Sequence, residues 1–111
     1  MDIQFSKLND TTVASVKGRI DASTAPVFEK AFADMMDKGE TVFLFDCSEL
    51  EYISSAGLRI ILAAARKLND RDGKMMFAEL RGTVKDVFRI SGFGTIFKLY
   101  ETRDEALADS Q

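Results

Sequence analysis

The sequence predicts one α/β domain, built on a mixed sheet of about five strands with about four helices packed against it. Three observations carry this expectation. A chain of 111 residues holds enough apolar surface for one core and too little for two. The uninterrupted run Val42-Phe43-Leu44-Phe45 reads as a central strand covered on both faces. Along the rest of the chain, apolar residues alternate between the strand period of two and the helical period of 3.6.

The elements follow in order. Ile3 and Phe5 alternate with Asp2, Gln4 and Ser6, Asn9-Asp10 makes a turn, and Val13 and Val16 lie in a second run from Thr12 to Lys17, so the chain opens with a hairpin. Gly18 to Ala22 reads as a loop. Ser23 or Thr24 can cap a first helix that accepts Pro26 in its first turn, where a missing N–H costs nothing. Val27, Phe28, Ala31, Phe32 and Met35 form its inward stripe, and Gly39 stops it.

After the central strand, Asp46 to Ile53 reads as a connection to a second helix. Leu58, Ile61, Leu62, Ala65 and Leu68 recur there at helical spacing, Arg59, Arg66, Lys67 and Asp70 occupy the other face, and Gly73 ends the pattern. Lys74 to Leu80 is a further strand, and Thr83 begins a third helix with Val84, Val87 and Phe88 inward. Ser91-Gly92-Phe93-Gly94 is a turn, Thr95 to Tyr100 the last strand, and Thr102 with Glu105 has capping-box spacing for a short final helix. Residues 108–111 are expected to fray. Strands joined by single helices favour right-handed crossovers and mostly parallel pairing, and the opening hairpin makes the sheet mixed.

Composition excludes several functions. A net charge of -3 lacks the clustered cations that displace counterions from nucleic acid, so no direct nucleic-acid partner is expected. No apolar run reaches the roughly 20 residues that cross a bilayer, and the first residues lack a signal-peptide layout, which points away from membranes and towards the cytoplasm. The lone Cys47 fits a reducing compartment. The absence of histidine removes Ser-His-Asp and Cys-His catalysis and, with a single cysteine, leaves no ordinary zinc ligand set. No catalytic residue, cofactor or metal is therefore assigned. Cys47 has no arginine close behind it, no phosphate-binding glycine motif occurs, and Ile3 to Leu8 lacks the acidic pair that would make Asp46 a receiver-type phosphoacceptor.

In open α/β sheets, functional groups collect where strands end and helices begin. Two segments of this kind should lie close together: Gly18 to Thr24 and Asp46 to Leu58. In the second, Ser55 sits where an N-cap belongs, and small Ala56 and Gly57 leave the first turn open to a partner. A phosphate there would gain from exposed amides and the helix dipole. Spacing alone leaves the plainer alternative open, since serine caps are common, and Gly57, Asp21 and Asp46 all have ordinary structural uses.

The segment Asp46-Cys47-Ser48-Glu49-Leu50-Glu51-Tyr52-Ile53-Ser54-Ser55-Ala56-Gly57-Leu58-Arg59 resembles the signature of the STAS-domain anti-sigma factor antagonists. Gly18-Arg19-Ile20-Asp21 is similar to that family's loop after its second strand, and Phe88-Arg89-Ile90-Ser91-Gly92-Phe93 to its late helix-turn segment. The resemblance implies a STAS fold over residues 1–111 and a partner switch. In that switch the unphosphorylated protein binds an anti-sigma factor that is also a serine kinase, and so frees a sigma factor. Phosphorylation by the kinase breaks the complex, and a PP2C-type serine phosphatase restores it. Ser55 aligns with the phosphoacceptor, with Ser54 as an alternative. Asp21, Ser23, Thr24, Ser54, Ser55, Ala56, Gly57, Leu58 and Arg59 are the implied partner-binding residues. Ser54 and Ala56 depart from the aspartate and the serine or threonine that often flank the acceptor. Related STAS domains also serve secretion, sensory and lipid-transport assemblies, which is the alternative function.

Overall fold

A computed structural model describes residues 1–109. Its elements are β1 (Asp2–Leu8), β2 (Thr11–Ile20), α1 (Ala25–Asp37), β3 (Val42–Ile53), α2 (Ser55–Asn69), β4 (Lys74–Ala78), α3 (Gly82–Ile90), α4 (Phe93–Ile96), β5 (Lys98–Tyr100) and α5 (Arg103–Asp109). They form a mixed five-stranded sheet of order β1-β2-β3-β4-β5. β1 and β2 pair antiparallel, and every later neighbour pairs parallel. The sequence expectation of an opening hairpin followed by helical crossovers is realised.

Residues of α1 to α4 share one core with Ala14, Val16, Phe43, Phe45 and Phe77, so these helices cover one sheet face. The opposite face is covered by α5, whose Ala106 packs on Val13, Leu44, Met76 and Ala78. That two-sided cover explains why Val42 to Phe45 carries no polar residue. Among the described residues no helix is long and apolar enough to cross a membrane.

Aromatic rings carry the larger core. Phe45 meets Phe28 of α1 edge-on at 5.8 Å and stacks on Phe77 of β4 at 5.2 Å. Phe77 in turn meets Phe88 and Phe97 at 5.1 and 5.2 Å. Pairs of this kind contribute about 0.5–1.5 kcal/mol beyond the area they bury.

Several elements differ from the sequence reading. β2 continues through Gly18, Arg19 and Ile20, and β3 through Ile53, where a loop and a connection were expected. Val27 is 58% exposed; the buried stripe of α1 is Ala25, Phe28, Phe32 and Met36, shifted round the helix by under half a turn. α1 does end at Gly39, whose N–H donates to Met36 O (2.9 Å) while Glu40 N–H donates to Met35 O (3.3 Å), a Schellman pair. α2 is capped at Asp70, ahead of Gly73. Gly73 is required for another reason: a Cβ there would collide with Thr41 O. Phe93 to Ile96 is a helical turn, leaving only Lys98–Tyr100 as the last strand. Ala108 and Asp109, expected to fray, belong to α5, and the Tyr100 hydroxyl bonds the Asp109 carboxylate; Ser110 and Gln111 lie outside the described residues.

Phe45 is 2% exposed and meets rings of α1 and β4, so Phe45→Ala is expected to lower the unfolding free energy by about 3–5 kcal/mol. Urea denaturation followed by circular dichroism measures it, and a loss under about 1 kcal/mol would show that the ring cluster is not the core's centre.

Candidate functional site at the carboxyl ends of β2 and β3

The site begins with the ladder between β2 and β3. Ser15 pairs with Asp46, Lys17 with Glu49, Gly18 with Leu50, Arg19 with Tyr52 and Ile20 with Ile53, so β3 carries two more residues than β2 over this stretch. Each extra residue is a bulge. The inward residues of β3 accordingly step from Phe45 and Cys47 to Leu50 and Ile53, at intervals of two, three and three. A broken alternation of this kind reads as a loop in sequence, which accounts for the difference at Asp46 to Ile53. The ladder closes with Ser54 N–H donating to Ile20 O (2.8 Å). The two segments expected to be neighbours therefore meet.

Ser54, not Ser55, is the N-cap of α2. Its backbone is extended and its Oγ accepts the Gly57 N–H (3.3 Å), as a capping serine does. Ser55 is the first helical residue; it is exposed, and its hydroxyl makes no hydrogen bond within the described residues. Gly57 is buried, and a Cβ there would lie 2.7 Å from Ile20 Cγ2 and 2.8 Å from Ile53 Cγ1. Its bare backbone lets the first turn of α2 rest on the last rung of the β2–β3 ladder. Ala56 and Leu58 are half-buried against the core, and Arg59 is exposed. Leu58 thus serves packing first, in keeping with its helical spacing.

The β2–α1 loop lies alongside. Asp21 Oδ1 accepts from Ser23 Oγ (2.7 Å), Ser23 N–H (3.0 Å) and Thr24 N–H (3.1 Å). The Ser23 hydroxyl chiefly, then the Thr24 amide, holds the Asp21 carboxyl below its ordinary value. Thr24 is the N-cap residue by position, but its side chain makes no capping bond. Its Oγ1 instead accepts Asp21 N–H (2.9 Å) and donates to Arg19 O (2.8 Å). Ser23 is exposed. The Arg19 guanidinium sits 4.3 Å from the Tyr52 ring centroid, with its Nε 3.9 Å from Asp21 Oδ2. Sequence reasoning passed over this pair, because Arg19 and Tyr52 become neighbours only through the bulged register.

Two residues near the site have structural duties. Asp46 does not end its strand; its carboxylate, in mid-β3, meets Arg103 of α5 at 3.3 Å and accepts Ser48 N–H at 3.0 Å. Cys47 is 3% exposed, and burial, with the charge of Asp46, pushes its thiol well above the ordinary range. A thiol so held is a poor nucleophile. Among the described residues no cluster of three or more acidic, cysteine or histidine side chains is arranged to hold a metal.

This arrangement has relatives, and residues 2–106 match the STAS domain family. The chain belongs to the STAS domain family. BtrV of Bordetella bronchiseptica, a candidate anti-sigma factor antagonist, is 36% identical over 97% of this chain and 93% of its own length. The anti-sigma-F factor antagonist RsfB of Mycobacterium tuberculosis is 30% identical over 89% of this chain and 80% of its own. An anti-sigma factor antagonist from Mycobacterium paratuberculosis superimposes with a TM-score of 0.87 at 29% identity, covering 97% of this chain and 92% of that one. The relatives of this STAS domain are thus named for antagonism of anti-sigma factors, a regulatory activity.

The cap assignment separates two neighbouring serines. Ser54→Ala is expected to destabilise the STAS domain by about 1 kcal/mol, whereas Ser55→Ala should stay within about 0.5 kcal/mol of wild type; equal effects in chemical denaturation would contradict the assignment. The Asp21 carboxyl, with its value lowered from 3.8, supports its loop fully above the ordinary value and loses that support only as pH falls through the lowered one. A carbon-detected NMR titration should therefore place its midpoint under 3.8, and Ser23→Ala should move the midpoint upward.

Proposed function

We propose that this STAS domain is the reversibly phosphorylated antagonist of a cytoplasmic anti-sigma factor, with Ser55 as the acceptor. The carrying observation is the contrast between adjacent hydroxyls: Ser55 is exposed and makes no side-chain hydrogen bond within the described residues, while Ser54 is half-buried and accepts the Gly57 N–H. A kinase can reach the first without dismantling a cap. The names of the relatives supply the partner class, and the family resemblance supplies a partner that is itself a serine kinase.

The unmodified protein docks through the start of α2 and the β2–α1 loop. The proposed docking residues are Asp21, Ser23 and Thr24 of the loop with Ser54, Ser55, Ala56, Gly57, Leu58 and Arg59 at the start of α2, where Gly57 serves by letting the turn sit close to the ladder, and the bonds to Asp21 Oδ1 preorganise the loop, which reduces the ordering cost of association. The kinase then joins Ser55 Oγ to the γ-phosphorus of ATP; the anhydride bond to the β-phosphate breaks, ADP leaves, and the hydroxyl proton passes to a base of the kinase. The protein is the substrate of this step and no catalyst. The product bears about -1.5 to -2 of new charge in the docking face, which must be desolvated or repelled for the partner to stay. A PP2C-type phosphatase hydrolyses the phosphoester and regenerates the binding form.

Incubation with the cognate kinase and ATP should add one phosphoryl group, located at Ser55 by mass mapping. Ser55→Asp should weaken the complex at least about tenfold, equivalent to roughly 1.4 kcal/mol, Ser55→Ala should bind without release, and Asp21→Ala should weaken binding with the fold intact. Phosphate on Ser54 alone, or wild-type affinity in Ser55→Asp, would overturn the reading.

A further inference from the structure

We infer that Arg59 is the intramolecular clamp for a phosphate on Ser55, so that modification both adds an anion to the docking face and withdraws a cation from it. The inference rests on the preceding assignment of Ser55. Residues 55 and 59 both belong to α2 and both are exposed. Side chains four apart on a helix are neighbours, with Cβ atoms about 6 Å from each other, and the order of acid first and base second is the favourable one. Long helical side chains also lean towards the helix N-terminus. An arginine at 59 is thereby directed to residue 55.

The charge inventory points the same way. Arg19 pairs with Asp21, Arg81 with Glu79, Arg89 with Asp86, Arg103 with Asp46, and Arg71 donates to Met36 O. Arg59 and Arg66 alone among the arginines have no acceptor within the described residues, and Arg66 lies two turns beyond Arg59 on α2. The first turn of α2 contains no acidic residue, so nothing there offsets the positive end of the dipole, and Arg59 sits in the following turn, where a cation is not favoured. A phosphoserine at 55 supplies the missing anion to both. The guanidinium fork matches phosphate oxygens and forms charge-assisted bonds with them. Arg19 is the competing cation, but it already has Tyr52 and Asp21 as partners.

The clamp is testable without the kinase. The full chain is made with phosphoserine installed at residue 55 during translation, and the second ionisation of the phosphate is followed by phosphorus NMR. Arg59 favours the dianion, so Arg59→Ala should raise that pKa by about 0.3 unit or more, Arg59→Lys should recover part of the shift, and 1 M salt should shrink it. Asp21 and Glu51, the acids on the bordering loop and strand, are common to all samples. An unchanged pKa in Arg59→Ala, or a larger shift in Arg19→Ala, would overturn the clamp. Because translation places the phosphate, a kinase that never labels Ser55 would refute the assignment of the acceptor and leave this measurement standing.

Discussion

The parallel ladder between β2 and β3 is the constraint from which the site follows. Had the pair stopped at Ser15 and Asp46, where regular alternation ends, α2 would begin in solvent. Two bulges carry the pairing on to Ile20 and Ile53, and the chain leaves β3 with Ser54 tied to Ile20 O. The first turn of α2 then has to lie on two isoleucines. Only glycine fits at position 57 under that approach, since any Cβ would overlap both side chains. The same contact sets the helical phase: Gly57 faces the sheet, Ser54 turns its oxygen to the helix amides, and Ser55 faces outward.

Rigidity at this end is supplied by packing more than by charge. Ile20 and Ile53 continue the ring cluster that joins α1, β3, β4 and α3, and displacing either would open a cavity in a close-packed interior. The ion pairs around the site are largely exposed, as in Lys17–Glu49 and Arg19–Asp21, and pairs of that kind contribute roughly 0–1 kcal/mol. Their value lies elsewhere. They fix which cations and anions are already engaged on the surface, and so which remain free to meet a new charge.

Much of this was legible in the sequence, and the misreadings have physical causes. A four-residue apolar run has one natural place in an α/β sheet, so the first half of β3 is legible; Pro26 and Gly39 mark the ends of α1 because each suits the backbone there, and Ser55 marks the start of α2 to within one residue. The bulged half of β3 was missed because period-two reasoning fails where extra residues are inserted. Val27 was misplaced because apolar residues at both edges of the stripe leave its centre ambiguous, and only contact with Phe45 selects Phe28 over its neighbour. The single turn of α4 is too short for a periodic signal. The cap of α2 slipped by one residue, since two adjacent serines satisfy the same preference and the ladder bond to Ile20 decides between them.

That one-residue distinction determines what modification can do. A phosphate on Ser54 would alter the oxygen that accepts the Gly57 amide, at the point where α2 meets the ladder, and its effect would pass into the fold. Within the described residues the Ser55 side chain makes no hydrogen bond, so a dianion there would change the surface while the cap, Gly57 and the two isoleucines remain as they are. For a chain whose net charge is -3, an added charge of about -2 is a large perturbation of the field at one end of the sheet. Under the proposed switch a partner would read such a change without any rearrangement of the backbone. Neighbouring backbone bonds hold position 55 at the surface, and under the proposed modification that placement would let charge alone carry the signal.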